Sequence, residues 1–191
     1  MKRLELVFLL EEPSIREVLN IILPKFLPPE IPFLLIPHEG KRDLERSIPR
    51  KLRAWQNPHA RFVIVRDKDS ADCLSVKQRL TALCEQVGRR DCLIRIVCHE
   101  LEAWFLGDLQ AIERAFELKR LSRQAGQEKF RQPDLIANAT EELKKLVGSY
   151  QKIGGARTIA PYLELERNRS HSFQVFIDGV RRLADEMINQ Q

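Results

Sequence analysis

The hydrophobic positions of this chain come in short unbroken runs, each followed by a stretch in which they recur every three or four residues. Residues 4–10 are almost continuously apolar, as in a strand covered on both faces, and the run stops at Glu11 and Glu12. Pro13 suits a first helical turn, and Ile15, Val18, Leu19, Ile22 and Leu23 then keep helical spacing until Pro24. A second apolar strand at 31–36 is bracketed by Pro28-Pro29 and Pro37. Residues 41–55 read as a helix with Leu44, Ile48, Leu52 and Trp55 on one stripe, which Pro49 is expected to kink or divide. The third strand, 61–66, ends in Asp67-Lys68-Asp69-Ser70 and precedes a helix with Cys73, Val76, Leu80, Leu83, Cys84 and Val87 on its stripe and Gly88 at its close. A fourth strand at 92–98 runs into His99-Glu100-Leu101-Glu102, where a helix is expected to begin at Glu100, with Leu101, Phe105, Ile112 and Phe116 as its core and Trp104 near the edge.

Four strand-helix units with no hairpin signal predict an α/β fold: a four-stranded, mostly parallel sheet covered by helices, with right-handed crossovers. After residue 117 the pattern becomes helix, loop and helix. Residues 118–133 are polar and basic and read as a loop; Asn138-Ala139-Thr140-Glu141 reads as a capping box. Gly148, Gly154 and Gly155 predict a loop around Tyr150 and Lys152, and Pro161 a break. A last amphipathic helix, capped by Ser170 or Ser172, carries Phe173, Phe176, Ile177, Val180, Leu183, Met187 and Ile188. The expected organisation is an α/β domain over 1–117 and a C-terminal helical extension over 118–191 packed on it.

Composition adds a partner class. With 191 residues, 43% hydrophobic and 31% charged, the chain supports one sizeable core under a highly charged surface. The net charge is +5, and it is concentrated: 41–61 holds seven positive and two negative side chains, 119–157 nine and four. Such surfaces favour a polyanion, nucleic acid foremost, although a solvated helix face is the ordinary reading of any one residue there. Cys73, Cys84, Cys92 and Cys98 form no C-x-x-C pair and are expected to be buried, reduced and inert. Lys2 and Arg3 precede an apolar run too short for a signal peptide or a membrane span, which predicts a cytoplasmic protein with no membrane partner.

The candidate chemistry lies where strands end, because ligands of parallel sheets bind beyond the carboxyl ends of the strands. Three of the four strands put acids there. Asp67 and Asp69 would project to one side if the extended backbone continued through Lys68; the competing reading is a turn and helix-cap cluster. Glu100 and Glu102 lie about 200° apart on a helix begun at Glu100, so both cannot serve one site. Carboxylates gathered without imidazole or thiolate partners select Mg²⁺ or Mn²⁺, and the natural use of such a site is phosphoryl chemistry. His38, His59 and His171 are expected at the surface; His99, beside Glu100, is the one histidine placed near the acids.

These residues carry a resemblance. The strand ending in Glu11, then a helix, then the strand ending Asp67-x-Asp69 resembles the Toprim domain of topoisomerases, primases and overcoming-lysogenization-defect nucleases. Leu10-Glu11-Glu12-Pro13-Ser14, Arg66-Asp67-Lys68-Asp69-Ser70-x-Asp72-Cys73 and Glu100-Leu101-Glu102-Ala103-Trp104-Phe105-Leu106-Gly107-Asp108 are similar to an uncharacterised bacterial Toprim-like family often found beside AAA-type ATPases. The likeness extends to Tyr150-Gln151-Lys152 and Arg169-Ser170-x-Ser172-Phe173. It implies a Toprim/Rossmann-like sheet, with Glu11 as the Toprim glutamate, Asp67 and Asp69 as the metal pair, Glu100 or Glu102 as an added acid and Lys152 as a late catalytic lysine. Many Toprim domains have glycine after the glutamate where this chain has Glu12, which leaves open whether Glu11 or Glu12 points inward.

Three functions compete. The first is a metal-dependent nuclease of Toprim type, implied by the resemblance to act in bacterial defence with an AAA-type ATPase. The second is a non-catalytic nucleic-acid or partner-binding module. The third, a receiver-like signalling domain, would use acids ending the first and third strands as a phosphoacceptor pocket, but the chain has no fifth strand with a terminal lysine.

Overall fold

The computed structural model describes residues 4–190, so Lys2 and Arg3 lie outside the described residues. The strands are β1 (Glu5–Leu10), β2 (Phe33–Pro37), β3 (Ala60–Asp67) and β4 (Leu93–Val97), all parallel in the order β2-β1-β3-β4. Helices α1 (Pro13–Ile22), α2 (Lys41–Ala54) and α3 (Cys73–Glu85) connect them. Short α4 (Glu102–Leu106) and α5 (Leu109–Ala115) follow β4, and α6 (Glu128–Arg131), α7 (Ala139–Val147), α8 (Lys152–Ile159) and α9 (His171–Asn189) make up the C-terminal helical part.

The period-two pattern of the strands sorts the core into two layers. Leu6, Phe8 and Leu10 of β1 and Val63 and Val65 of β3 pack with α1, α4 and α9; Val7, Leu9, Phe62 and Ile64 face α2 and α3. The C-terminal helices therefore share the larger core with the sheet: the Phe8 and Phe176 rings lie 6.5 Å apart, and Trp104 sits 5.2 Å from both Phe173 and Phe176. Trp104 is fully buried, not at a stripe's edge, because α4 ends at Gly107 and α5 starts anew from its Asp108 cap. Gly107 makes that turn: a Cβ there would strike the Asn168 side chain and the Ser170 backbone.

The chain leaves β1 for β2 on one side and then returns past β1 to β3 on the other, which makes the gap between β1 and β3 the topological switch point. Register fixes what stands there. Leu10 pairs with Val65, and the Glu11 N–H donates to the Val65 carbonyl at 3.1 Å, so Glu11, Glu12 and Asp67 emerge side by side.

Several local expectations change. α2 runs unbroken through Pro49, because Leu44, Ile48 and Leu52 are buried against the sheet on both sides of it and offset the roughly 3 kcal/mol that an interior proline costs. Residues 118–133 are not a plain loop: α6 and the short 3-10 turns Leu121–Gly126 and Pro133–Leu135 are pinned by buried Leu121 and Phe130. Gly154 and Gly155 lie inside α8, and Lys152 opens that helix. The helix expected at Glu100 begins at Glu102 after a turn. Cys73, at the start of α3, is exposed; Cys84 is buried, Cys92 and Cys98 flank β4 half-buried, and all four are free thiols. Burial pushes the Cys98 thiol up. His38 is buried, not at the surface: one ring nitrogen meets the Leu10 carbonyl at 2.8 Å and the other the Ser47 hydroxyl at 2.5 Å. Among the described residues no helix is long and apolar enough to cross a membrane.

Candidate active site

Alternation along β3 sends Arg66 and Asp67 to opposite faces of the sheet. Arg66 lies with α2 and α3, where its guanidinium meets Glu45 at 2.6 Å and stands 3.8 Å from Glu11. Asp67 lies on the α1 and α4 side, buried, with its Oδ1 lacking a partner among the described residues. Burial holds the Asp67 carboxyl well above the usual aspartate range, and Glu12, Glu11 and Glu102, in that order, push it further, against the pull of Lys152. Asp67 therefore keeps its proton at pH values where an exposed aspartate has lost it.

The two glutamates after β1 divide their work. Glu11 Oε2 accepts from the Asp67 backbone N–H at 3.0 Å. Burial raises the Glu11 carboxyl, this hydrogen bond lowers it, and Asp69 and Glu12 raise it against Arg66. Glu12 accepts from the Ser14 hydroxyl at 2.6 Å through one oxygen, and its other oxygen is 3.5 Å from the Lys152 ammonium. Of the two, Glu12 acts more strongly on the Asp67 charge.

Glu100 and Glu102 also part. Glu102 is fully buried; its Oε1 accepts from Tyr150 at 2.8 Å, and its Oε2 has no partner among the described residues. Burial raises the Glu102 carboxyl, opposed by Lys152 and the Tyr150 bond. The Tyr150 hydroxyl is raised in turn, by burial and then by Glu102. Glu100 Oε2 accepts from the Thr140 N–H at 2.9 Å, so it closes the N-terminus of α7; Asn138 makes no side-chain cap there. Lys152 is half-exposed; burial pulls its ammonium down, but Glu102, Glu12, Asp67 and Glu100 outweigh it and hold it above the usual lysine range.

Asp69 does not join Asp67 as a strand pair. β3 ends at Asp67, and Asp69 turns left-handed with φ 53°. His99 adopts φ 59°, and the two residues clasp: the Asp69 N–H donates to the His99 carbonyl at 2.9 Å, and His99 Nδ1 lies 3.1 Å from the Asp69 carbonyl. Two left-handed non-glycine residues in contact are a stored backbone cost of the kind that functional sites hold. The Asp69 carboxylate, exposed, pairs with Lys41 at 3.1 Å.

The arrangement thus gathers Glu11, Glu12, Asp67, Glu102 and Lys152 beyond β1 and β3, with Asp69 at the rim and Glu100 turned to α7. Among the described residues, no three acidic, imidazole or thiol groups close around a common point that would enclose a metal ion. The donor set nevertheless suits a hard cation: Asp67 Oδ1 and Glu102 Oε2 are buried and unpartnered, and carboxylates this close remain ionised together only when positive charge offsets them. Arg66 and Tyr150, which position Glu11 and Glu102, had no role in the sequence reading; an arginine inside an apolar strand was the signal for the first.

The family described as Domain of unknown function (DUF4276) matches residues 10–181. Among solved structures, the C-terminal region of the Burkholderia pseudomallei OLD protein is similar with a TM-score of 0.51 and 16% identity, covering 94% of this chain and 98% of that one. At that identity the likeness is one of fold, and it is the fold described above, a parallel four-stranded sheet with a C-terminal helical part. No curated protein matches the chain.

Proposed function

The chain belongs to the DUF4276 family, and from that premise we propose that it is a metal-dependent nuclease of Toprim type, hydrolysing nucleic-acid phosphodiester bonds with Mg²⁺ or Mn²⁺. The observation that carries the proposal is Asp67, a buried carboxylate with an unpartnered oxygen at the switch point of a parallel sheet, surrounded by Glu12, Glu11 and Glu102 and faced by Lys152. The similarity of fold to the OLD protein's C-terminal region supports the Toprim reading.

In this proposal Glu11, Glu12, Asp67 and Glu102 would hold the cation, and Asp69, now paired with Lys41, would be the further carboxylate at the rim. A bound ion of this kind neutralises a phosphodiester oxygen and lowers the pKa of an attacking water. The protein's own groups do the rest. Tyr150 orients Glu102 through its hydroxyl, and Arg66 flanks Glu11. Lys152, whose ammonium stands at the acids yet reaches solvent, stabilises negative charge that develops on the phosphate. The basic stretches 41–61 and 119–157 bring the polyanion to the acidic edge. Bacterial defence and an AAA-type ATPase partner belong to the proposal through the sequence resemblance alone.

The test is incubation of the purified protein with plasmid, single-stranded DNA and RNA in Mg²⁺, Mn²⁺ or chelator. Cleavage that needs metal and vanishes in Asp67→Asn is expected. A protein that binds these polymers in metal but cuts none of them is a binding module, and the nuclease reading then fails.

A further inference from the structure

Beyond the carboxyl end of β4 lies a hollow of about 350 Å³ that is separate from the acids but shares a wall with them. Lys68, the residue between Asp67 and Asp69, lines it, as do His99 of the left-handed clasp, Arg131, Leu135, Arg169 and His171. We propose that this hollow is a subsite for one unpaired nucleotide of a nucleic-acid strand, with the base against Leu135 and the phosphate among Lys68, Arg131 and Arg169. The proposal rests on the nuclease reading for its position beside the cut, and on its own chemistry for the ligand.

Charge gives the first argument. Lys68, Arg131 and Arg169 form no ion pair among the described residues. Arg131 Nε donates to the Gly126 carbonyl at 2.8 Å and the Arg169 guanidinium to the Ala125 carbonyl, so each is held in place by backbone with N–H groups to spare. Asp134, the acid in the lining, is already engaged: its oxygens accept from the Ser170 hydroxyl and the Ser172 N–H, both at 2.6 Å, at the start of α9. Cations without carboxylate partners, clustered around a concave wall, suit a phosphate.

Shape and polarity give the second. Leu135 is 72% exposed, carried outward on the Pro133–Leu135 turn while its neighbour Phe130 is buried. It also lines an adjoining hollow of about 530 Å³ that shares Arg131 and Gln132. The two hollows adjoin at Arg131, Gln132 and Leu135; the unpaired cations Lys68 and Arg169 belong to the first, while the second also holds Glu128 and a Lys129 that is paired with Glu142. Inorganic phosphate has no use for the exposed Leu135 side chain. A base presents an apolar face to it only after leaving its stack, so a single strand fits and a closed duplex does not.

The position gives the third. Lys68 donates its backbone N–H to the Val97 carbonyl at 2.8 Å, which fixes this wall to the end of β4 directly beside Asp67. Lys68, next to Asp67 in the chain, thus borders both the acidic edge and the hollow.

The experiment is fluorescence anisotropy with a labelled single-stranded dodecanucleotide in chelator, so that no cleavage intervenes, with a duplex of the same length and inorganic phosphate as competitors. Arg131→Glu should weaken single-strand binding roughly tenfold or more, and Leu135→Ala, which removes no charge, roughly fivefold. Lys77→Glu, the same charge change on the exposed side of α3, should change it less than about twofold. Phosphate should compete poorly, and the duplex should be insensitive to Leu135→Ala. Wild-type affinity in both pocket variants, equal loss in Arg131→Glu and Lys77→Glu, or equal loss of duplex and single strand in Leu135→Ala would each overturn the subsite. The cleavage assay separates the two readings. Pocket variants that lose binding in a protein that cuts nothing leave the subsite standing and sink the nuclease; Asp67-dependent cutting with unaltered pocket variants does the reverse.

Discussion

Glu11 Oε2 accepts its hydrogen bond from the backbone N–H of Asp67, at 3.0 Å, and not from the Asp67 side chain. The acid that ends β1 is thereby tied to β3 by a donor that cannot titrate, with the Arg66 guanidinium 3.8 Å away on the other side. The Asp67 carboxyl is left to face Glu12, Glu102 and Lys152 instead. The cluster is held together by the sheet, not by attraction among its own charges.

That arrangement sets a pH dependence. Glu11, Asp67 and Glu102 are all raised, each chiefly by burial. Below the usual carboxylate range these groups are protonated folded and unfolded, and the cluster costs nothing. As pH rises through the window between their ordinary and folded values, the unfolded chain releases protons that the folded one keeps, so stability falls, and the full penalty is present above the folded values. Asp67→Asn should raise the melting temperature of the metal-free protein at neutral and alkaline pH and leave it nearly unchanged at acid pH. Buried His38, which is lowered by burial, drifts the other way as pH falls, and it cancels in the difference between the two melting curves.

Metal affinity should separate Glu12 and Glu102 from Glu100. Titration calorimetry with Mn²⁺ is expected to show at least about a tenfold loss in Glu12→Gln and Glu102→Gln, as for removal of a direct ligand contact. Glu100→Gln should keep near-wild-type affinity and instead destabilise the protein by about 0.5–2 kcal/mol, the cost of a lost helix cap at Thr140. Equal Mn²⁺ affinity in wild type, Glu12→Gln and Glu102→Gln would remove the cation from this cluster.

Tyr150 tests how the site is braced. Tyr150→Phe removes the hydrogen bond that Glu102 Oε1 accepts and leaves a fully buried carboxyl without it, which should cost about 1–3 kcal/mol in urea melts. Gly155→Ala should cost a similar 1–3 kcal/mol or so, because a Cβ there falls within the Tyr150 ring. In that variant the Tyr150 absorbance should report the ring's displacement from Glu102.

Lys152→Ala should slow cleavage by roughly 10²–10³-fold while Mn²⁺ affinity holds or rises, since the side chain is assigned to charge on the phosphate and also competes with a cation for Glu12. A cleavage rate within a factor of about two of wild type would take Lys152 out of the chemistry.

Arg42, Arg46, Arg50 and Arg53 line one exposed stripe of α2, and none pairs with a carboxylate among the described residues. Replacing Arg46, Arg50 and Arg53 by glutamine should reduce the slope of log affinity against log salt for duplex DNA by up to about three, one counterion per lost phosphate contact. An unchanged slope would place the DNA elsewhere.

The sheet was legible because its strands are short, nearly continuous apolar runs, as strands buried on both faces are, and three of the four stop at acids. The positions of Glu11, Glu12 and Asp67 at one edge followed from that pattern. What failed were inferences that carried a local pattern past a tertiary override. Asp67 and Asp69 looked like a strand pair, but the ladder with β4 ends with the Lys68 N–H on the Val97 carbonyl, and Asp69 then turns left-handed with its N–H on the His99 carbonyl. Asn138 looked like a cap, but Glu100, distant in sequence, supplies the acceptor. Gly154 and Gly155 looked like loop residues, yet both lie inside α8, and it is the missing side chain of Gly155 that lets the helix lie under Tyr150. His38 looked exposed because its neighbours are polar; the Leu10 carbonyl and Ser47 that receive it are set by the fold.

The contact between Lys152 and Glu12 spans 140 positions of the chain. During synthesis the acids at the ends of β1 and β3 leave the ribosome long before α8 exists, and until Tyr150 and Lys152 arrive Glu102 has no donor and Asp67 no nearby ammonium. A nascent chain therefore carries the sheet and its carboxylates without the groups that brace them. The last third of the polypeptide thus supplies the braces for carboxylates that all precede it in the chain.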